Sequence, residues 1–185
     1  ITIAGGKLTG FRMMALKVVD LVTEQLGEEQ GMQFAPCTTD QQVISGGKKG
    51  GHSNFKRYRE AIIKMVRKAG ISQEDAEYLF DLYGSNVLPI LRNYNESEIE
   101  DTELRLLDAE LTYGMDYEMT TKAIDFIERR TAMINFDIAK AKARFPHVLA
   151  LMQQYLNWTD EQYRENEAEL KEAFQAATEY IEREE

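Results

Sequence analysis

The residues best suited to chemistry stand at the front of the chain, in the run Ile1-Thr2-Ile3-Ala4-Gly5-Gly6-Lys7-Leu8-Thr9. Two glycines between a β-branched run and a helical pattern let the backbone approach a ligand closely and aim unpaired amide groups at it. Reinforced by the dipole of the helix that follows, such groups suit a phosphate, a carboxylate or the electron-rich pyrimidine side of a flavin. The spacing matches neither the phosphate-binding loop GxxxxGK[ST] nor the dinucleotide turn GxGxxG, and the second glycine cluster, Gly46 to Gly51, matches neither as well. By pattern alone the turn fits a structural bend better than a ligand contact.

Other chemical candidates are sparse. His52 and His147 lie far apart and Cys37 is the single cysteine, so the sequence offers no metal-ligand cluster and no disulfide framework. No Ser-His-Asp or Cys-His arrangement is recognisable, Cys37 falls in a loop, and no residue is assigned a catalytic role. Arg129-Arg130-Thr131 could clamp an anion, but pairing with acids such as Glu110 or Glu118 is the simpler expectation.

The elements that carry these residues are mostly helical in period. Ile1 to Ala4 reads as a short strand, and Leu8, Phe11, Ala15, Val18, Val22 and Leu26 predict a buried helical stripe stopped by Gly27. The strand has no evident partner downstream, which suggests a missing upstream segment. Residues 28–52, with Pro36 and two glycine pairs, predict a long loop. Phe55, Tyr58, Ile62, Met65 and Val66 mark the next helix, ending near Gly70. Ser72 with Asp75 caps a third that runs through Ala76, Leu79, Phe80 and Tyr83 to Gly84. A short helix follows over Asn86 to Tyr94 with Pro89 in its first turn, then an acidic loop to Glu103. Leu104, Leu107 and Leu111 line a helix that Thr112-Tyr113-Gly114 weakens. From Thr121 the apolar anchors Ile124, Ile127, Met133, Ile134 and Phe136 predict a helix to about Phe145, with Pro146 starting another through Val148, Leu151, Met152 and Tyr155. Thr159-Asp160-Glu161-Gln162 forms a capping box before a last stripe of Tyr163, Leu170, Phe174, Ala177 and Ile181.

At 185 residues and 43% hydrophobic, the chain can bury an ordinary core. It has no run of about 18 apolar residues and no signal-peptide pattern at its start. A net charge of −10 opposes nonspecific nucleic-acid binding, so no nucleic-acid partner is expected. The charge is uneven: eight bases against one acid from Lys48 to Lys68, and ten acids against three bases from Asp160 to Glu185. Solvated helix faces explain both runs, while a docking role for the basic one is the competing reading.

The opening run through Gly10-Phe11-Arg12 closely resembles the last flavin-contacting segment of the FAD-dependent glycerol-3-phosphate dehydrogenases and oxidases, which usually reads Gly-Gly-Lys-Leu-Thr-Thr-Tyr-Arg. Further matches follow in order: Leu82-Tyr83-Gly84-Ser85-Asn86, Ala109-Glu110-Leu111 with Tyr113, Asp125-Phe126-Ile127-Glu128-Arg129-Arg130-Thr131, and Asn157-Trp158-Thr159-Asp160-Glu161-Gln162. Gly10 and Phe11 depart from the usual Thr-Tyr. The resemblance implies an all-α helical bundle cap preceded by a strand-turn-helix remnant of the FAD-binding domain. On that basis residues 1–27 are the remnant, 28–52 a long loop and 53–185 the helical C-terminal domain. It further implies oxidation of sn-glycerol 3-phosphate to dihydroxyacetone phosphate, with electrons passing through FAD to quinone or O2. Gly6, Lys7, Leu8 and Thr9 become the FAD-contacting positions, and the chain's partners its own N-terminal FAD-binding domain, with homo-oligomer or peripheral membrane contact as further roles of the cap. Cytoplasmic placement, on the inner face of the cell membrane if peripheral, goes with it. The isolated chain is expected to be inactive and not to bind FAD stably. The alternative is an autonomous helical module that docks on an acidic partner or anionic membrane surface through its basic stretch.

Overall fold

The computed structural model describes residues 1–48 and 52–179, with the backbone alone at His52. Lys49, Gly50, Gly51 and Ile181, on which the second glycine cluster and the end of the last stripe partly rest, lie outside the described residues, as does the rest of the acidic tail from Tyr180. Among the described residues there are eight α-helices and no strand. The chain divides into two compact units, Ile1–Ser45 and Gly46–Glu185.

The first unit differs from expectation in three ways. Ile1 to Lys7 has no regular structure, because a strand exists only as one side of a hydrogen-bonded ladder and no described segment supplies the other. Helix α1 (Phe11–Gln30) runs past Gly27 and ends at Gly31, which takes the left-handed conformation at φ 67° and donates its N–H to the Gly27 carbonyl at 3.0 Å. The terminator is the glycine that adopts positive φ, four residues beyond the first one available. Finally, α1 buries no residue: Phe11 is 67% exposed and Leu8, just before it, 89%.

The second unit holds every fully buried apolar side chain. Helices α2 (Phe55–Lys68), α3 (Gln73–Tyr83) and α4 (Val87–Glu96) form as the sequence predicts, and Pro89 sits in the first turn of α4. The Ser72 hydroxyl accepts the Asp75 N–H at 3.0 Å at the start of α3, and Gly84 ends that helix at φ 57°. A side chain at Gly84 would meet the Gly46 carbonyl oxygen at 2.3 Å, so two glycines are what allow the segment after Ser45 to lie on the end of α3.

Helix α5 (Thr102–Tyr117) is the spine. It continues through Thr112-Tyr113-Gly114 because the glycine is a packing residue: a Cβ there would stand 2.9 Å from the Thr120 hydroxyl oxygen. Leu106, Ala109 and Tyr113 face a core built with α2, α3 and α4 around Val66, Phe80, Val87 and Ile90. Leu107 and Leu111 face a second core with Phe126, Ile127, Leu149, Met152 and Leu170. A helix apolar on both sides is buried on both, and α5 separates the two cores.

The expected helix from Thr121 to Phe145 is broken into three pieces. Asp125 accepts the N–H groups of Thr121 and Lys122, at 3.2 and 3.0 Å, and starts a π-helical turn over Asp125–Arg130, closed by Thr131 N–H on the Phe126 carbonyl at 3.0 Å. The Thr131 hydroxyl donates to the same carbonyl at 2.8 Å, and Ala132 turns left-handed at φ 52°. A four-residue helix, α6 (Met133–Phe136), follows, and Asp137 caps α7 (Ile138–Leu156) by accepting the Lys140 N–H at 3.0 Å. Short polar side chains that bond the local backbone divert the chain from a continuous helix. Phe136, expected as an anchor, is 88% exposed, and Pro146 lies inside α7 and does not start a helix.

Helix α8 (Asp160–Thr178) opens with the full capping box: Thr159 Oγ1 accepts from Gln162 N at 3.2 Å and Gln162 Oε1 from Thr159 N at 2.9 Å. Its buried stripe is Asn166, Leu170 and Phe174, whereas Ala177 is exposed.

Candidate functional site

The Gly-Gly turn is built by three local features. Lys7 is extended at φ −96° and ψ 108°, and Leu8–Gly10 forms a 3-10 turn closed by Gly10 N–H on the Lys7 carbonyl at 3.0 Å. That turn feeds directly into α1, and its start carries no side-chain cap, so the first amides keep their donors for something else. Gly5 is occupied: a Cβ there would meet Met14 Cε at 2.4 Å. Gly6 faces open space, with no atom within 4 Å of where its Cβ would stand. Gly6, Lys7, Leu8 and Thr9 are all exposed, and the first three border a shallow hollow of about 270 Å³. A flat anionic group could lie against this hollow, with the amides of Leu8 and Thr9 donating and the α1 dipole behind them.

Arg129 and Arg130 behave as ordinary ion-pair residues. Arg130 pairs with Glu118, one of the two acids expected from the sequence, and Arg129 with Asp125 on its own turn. Glu110, the other expected partner, is 3% exposed and sits against α3 with Tyr78 and Tyr83 hydrogen-bonded to it. Burial pushes its carboxyl up to about 7, with the Tyr83 hydrogen bond and the positive charges of Arg144 and Lys140 pulling the other way. The same burial, together with the charge of Glu110, raises the Tyr78 and Tyr83 phenols well above their usual range. Tyr83 stacks edge-on against Tyr113 with centroids 5.6 Å apart, and Tyr113 also feels burial and Glu118. Glu110, Tyr113 and Glu118 thus mark a polar seam along α5 between the two cores. Glu110 and Tyr113 are buried and Glu118 is half-buried in its ion pair with Arg130, a placement that suits holding helices in register.

Asn166 is a buried polar residue that the apolar stripe did not reveal. Its Oδ1 accepts the Ala123 N–H at 3.1 Å and its Nδ2 donates to the Gln162 carbonyl at 2.9 Å, pinning the loop before the π turn to α8. The signal was its position on the Tyr163 and Leu170 face, three and four residues away.

The described residues thus hold an exposed, uncapped Gly-Gly turn leading into a helix with no buried residue, and a helical bundle with two cores. Residues 37–163 match the family model described as the C-terminal domain of alpha-glycerophosphate oxidase, and the chain belongs to that family. It is 38% identical over 182 residues to the aerobic glycerol-3-phosphate dehydrogenase of Staphylococcus haemolyticus, covering 96% of this chain and 32% of the relative. The enzyme of the same name from Staphylococcus aureus strain USA300 is 35% identical over 178 residues, with the same coverages. Among solved structures, the glycerol-3-phosphate dehydrogenase from Bacillus halodurans complexed with FAD superposes with a TM-score of 0.85 at 33% identity, over 99% of this chain and 36% of that one. The chain spans about a third of the length of these relatives.

Proposed function

We propose that this chain is the C-terminal portion of an FAD-dependent enzyme that oxidises sn-glycerol 3-phosphate to dihydroxyacetone phosphate and passes the electrons to quinone or O2. The observation that carries the reading is the likeness of 99% of the chain to about a third of an FAD-complexed glycerol-3-phosphate dehydrogenase. FAD would supply the hydride acceptor. The part played by this chain is positional: Gly6 leaves room for a flat ring, and the Leu8 and Thr9 amides stabilise the negative charge that a reduced flavin carries on its pyrimidine side. Lys7 adds a cation beside them. The helical bundle packs as an accessory domain and takes no part in bond making.

The decisive experiment uses the longer protein that carries this sequence. Anaerobic sn-glycerol 3-phosphate should bleach the absorbance of its bound flavin, and quinone or air should restore it. Purification without flavin, or a flavin that glycerol 3-phosphate leaves oxidised, would overturn the reading.

A further inference from the structure

Within the second unit, residues of α3, α5, α6 and α7 line a cavity of about 150 Å³. Glu110, Leu106 and Met133 lie buried at its inner side, and Lys140 and Phe136 are exposed at its outer one. The phenols of α3 hold the Glu110 carboxyl, yet its Oε1 has no hydrogen-bond partner among the described residues. A buried acceptor left open carries the full cost of its lost hydration, so it marks a place where a donor belongs. Two cations stand beside it. Lys140 makes no ion pair among the described residues, and Arg144, its side chain 16% exposed, reaches only the exposed Glu103, at 3.5 Å. Both act on the Glu110 carboxyl more strongly than Asp75 does. The two aspartates that also line the cavity are engaged at helix starts: Asp75 accepts the Ser72 hydroxyl at 2.6 Å and Asp137 the Lys140 N–H at 3.0 Å.

We propose that this cavity binds a small oxyanion carrying an O–H group, its charged oxygens on Lys140 and Arg144 and its O–H donating to Glu110 Oε1. The volume is that of roughly five waters in the liquid, which admits about seven non-hydrogen atoms of a compact molecule. A three-carbon hydroxy acid and inorganic phosphate both meet that limit, and both present the same two groups. An ammonium is the poorer donor, because it sets a third positive charge beside Lys140 and Arg144. A neutral polyol leaves the two cations without a counter-charge, and an anion with no O–H leaves Oε1 as it was. A hydrogen bond to an ionised carboxylate is strong enough to separate these anions by about tenfold in affinity.

The test is a two-dimensional NMR titration of the isotope-labelled 185-residue chain at about pH 8, where Glu110 is mostly ionised. Glycerate should shift the amide signals around Glu110 and Lys140 saturably and bind at least about tenfold tighter than propionate, and phosphate should do the same against sulfate. Binding within one pair alone upholds the site and identifies which source fits it. Lys140→Glu, an exposed change, should weaken binding at least about tenfold, whereas Lys56→Glu, the same change of charge on α2, should leave it unaltered. In Glu110→Gln the phenols keep the amide oxygen and Nε2 turns a donor toward the cavity, so the preference for anions with an O–H should vanish. Circular dichroism checks the fold of that variant, and the Lys140→Glu comparison stands if it fails to fold. No saturable shift with glycerate or phosphate would leave the cavity to water and overturn the proposal. So would propionate and sulfate binding the parent equally well, a preference that survives Glu110→Gln, or equal losses in Lys140→Glu and Lys56→Glu.

Discussion

Glu110 shows what one buried carboxyl does to stability. Its folded-state value of about 7 stands above its ordinary 4.5, so the folded chain holds the proton more tightly than the unfolded one. Stability is therefore full below the ordinary value and declines as pH rises through about 7, by on the order of 3 kcal/mol across the whole window. Glu110→Gln keeps the shape and removes the titration. Urea midpoints of the parent should fall between about pH 5 and about pH 8, and those of the variant should stay nearly level; an unchanged slope in the variant would place the titration elsewhere. Gly6 gives the second residue-scale prediction. The Cβ of a valine there stands in open space, so in the longer protein the melting midpoint should hold while flavin affinity drops by about tenfold, roughly 1.4 kcal/mol. Equilibrium dialysis of flavin reads this directly, and undiminished affinity would separate the turn from the cofactor.

At the scale of elements, the caps at Ser72 and Thr159 were legible in the sequence because side chain and backbone act within four residues of each other. Thr159→Ala should cost about 1 kcal/mol and let the start of α8 fray, followed by urea unfolding with Trp158, the single tryptophan, as probe. A loss no greater than that of an exposed alanine substitution in mid-helix would deny the box its role. The breaks were not legible for the opposite reason. Apolar spacing runs on from Ile124 to Phe136, and what interrupts it is a set of bonds from Asp125, Thr131 and Asp137 whose partners are set by packing. Gly27 and Gly31 present the same problem, since either could stop α1 and only geometry selects the second. As for the candidate site, the residues were readable from the Gly-Gly-Lys-Leu-Thr pattern. The emptiness beyond Gly6 and the missing cap were not, because both are properties of surrounding space.

For the whole molecule, the contrast between the two units is the main physical fact. All residues below 9% exposure lie after Ser45, and burial is what offsets the entropy of ordering a chain. A protein trimmed to residues 46–185 should keep one cooperative thermal transition at nearly the midpoint of the 185-residue chain, by calorimetry; a broad, non-cooperative melt would mean that the first 45 residues are part of the stable core. The α1 surface, with Phe11, Met13, Val19 and Leu21 about half exposed or more, is the face on which the proposed FAD-binding portion would pack.

Tyr83, buried where α3 meets α5, also gives the bundle an optical property. A phenol sealed beside a carboxylate stays un-ionised at alkalinity that ionises free tyrosine, so Tyr83 remains spectrally silent while the helices hold together. After a jump to alkaline solution, surface tyrosines change colour in the ultraviolet within the mixing time. The hidden ring follows only at the pace at which the protein opens, so the molecule carries its own clock for unfolding, with no dye or label attached.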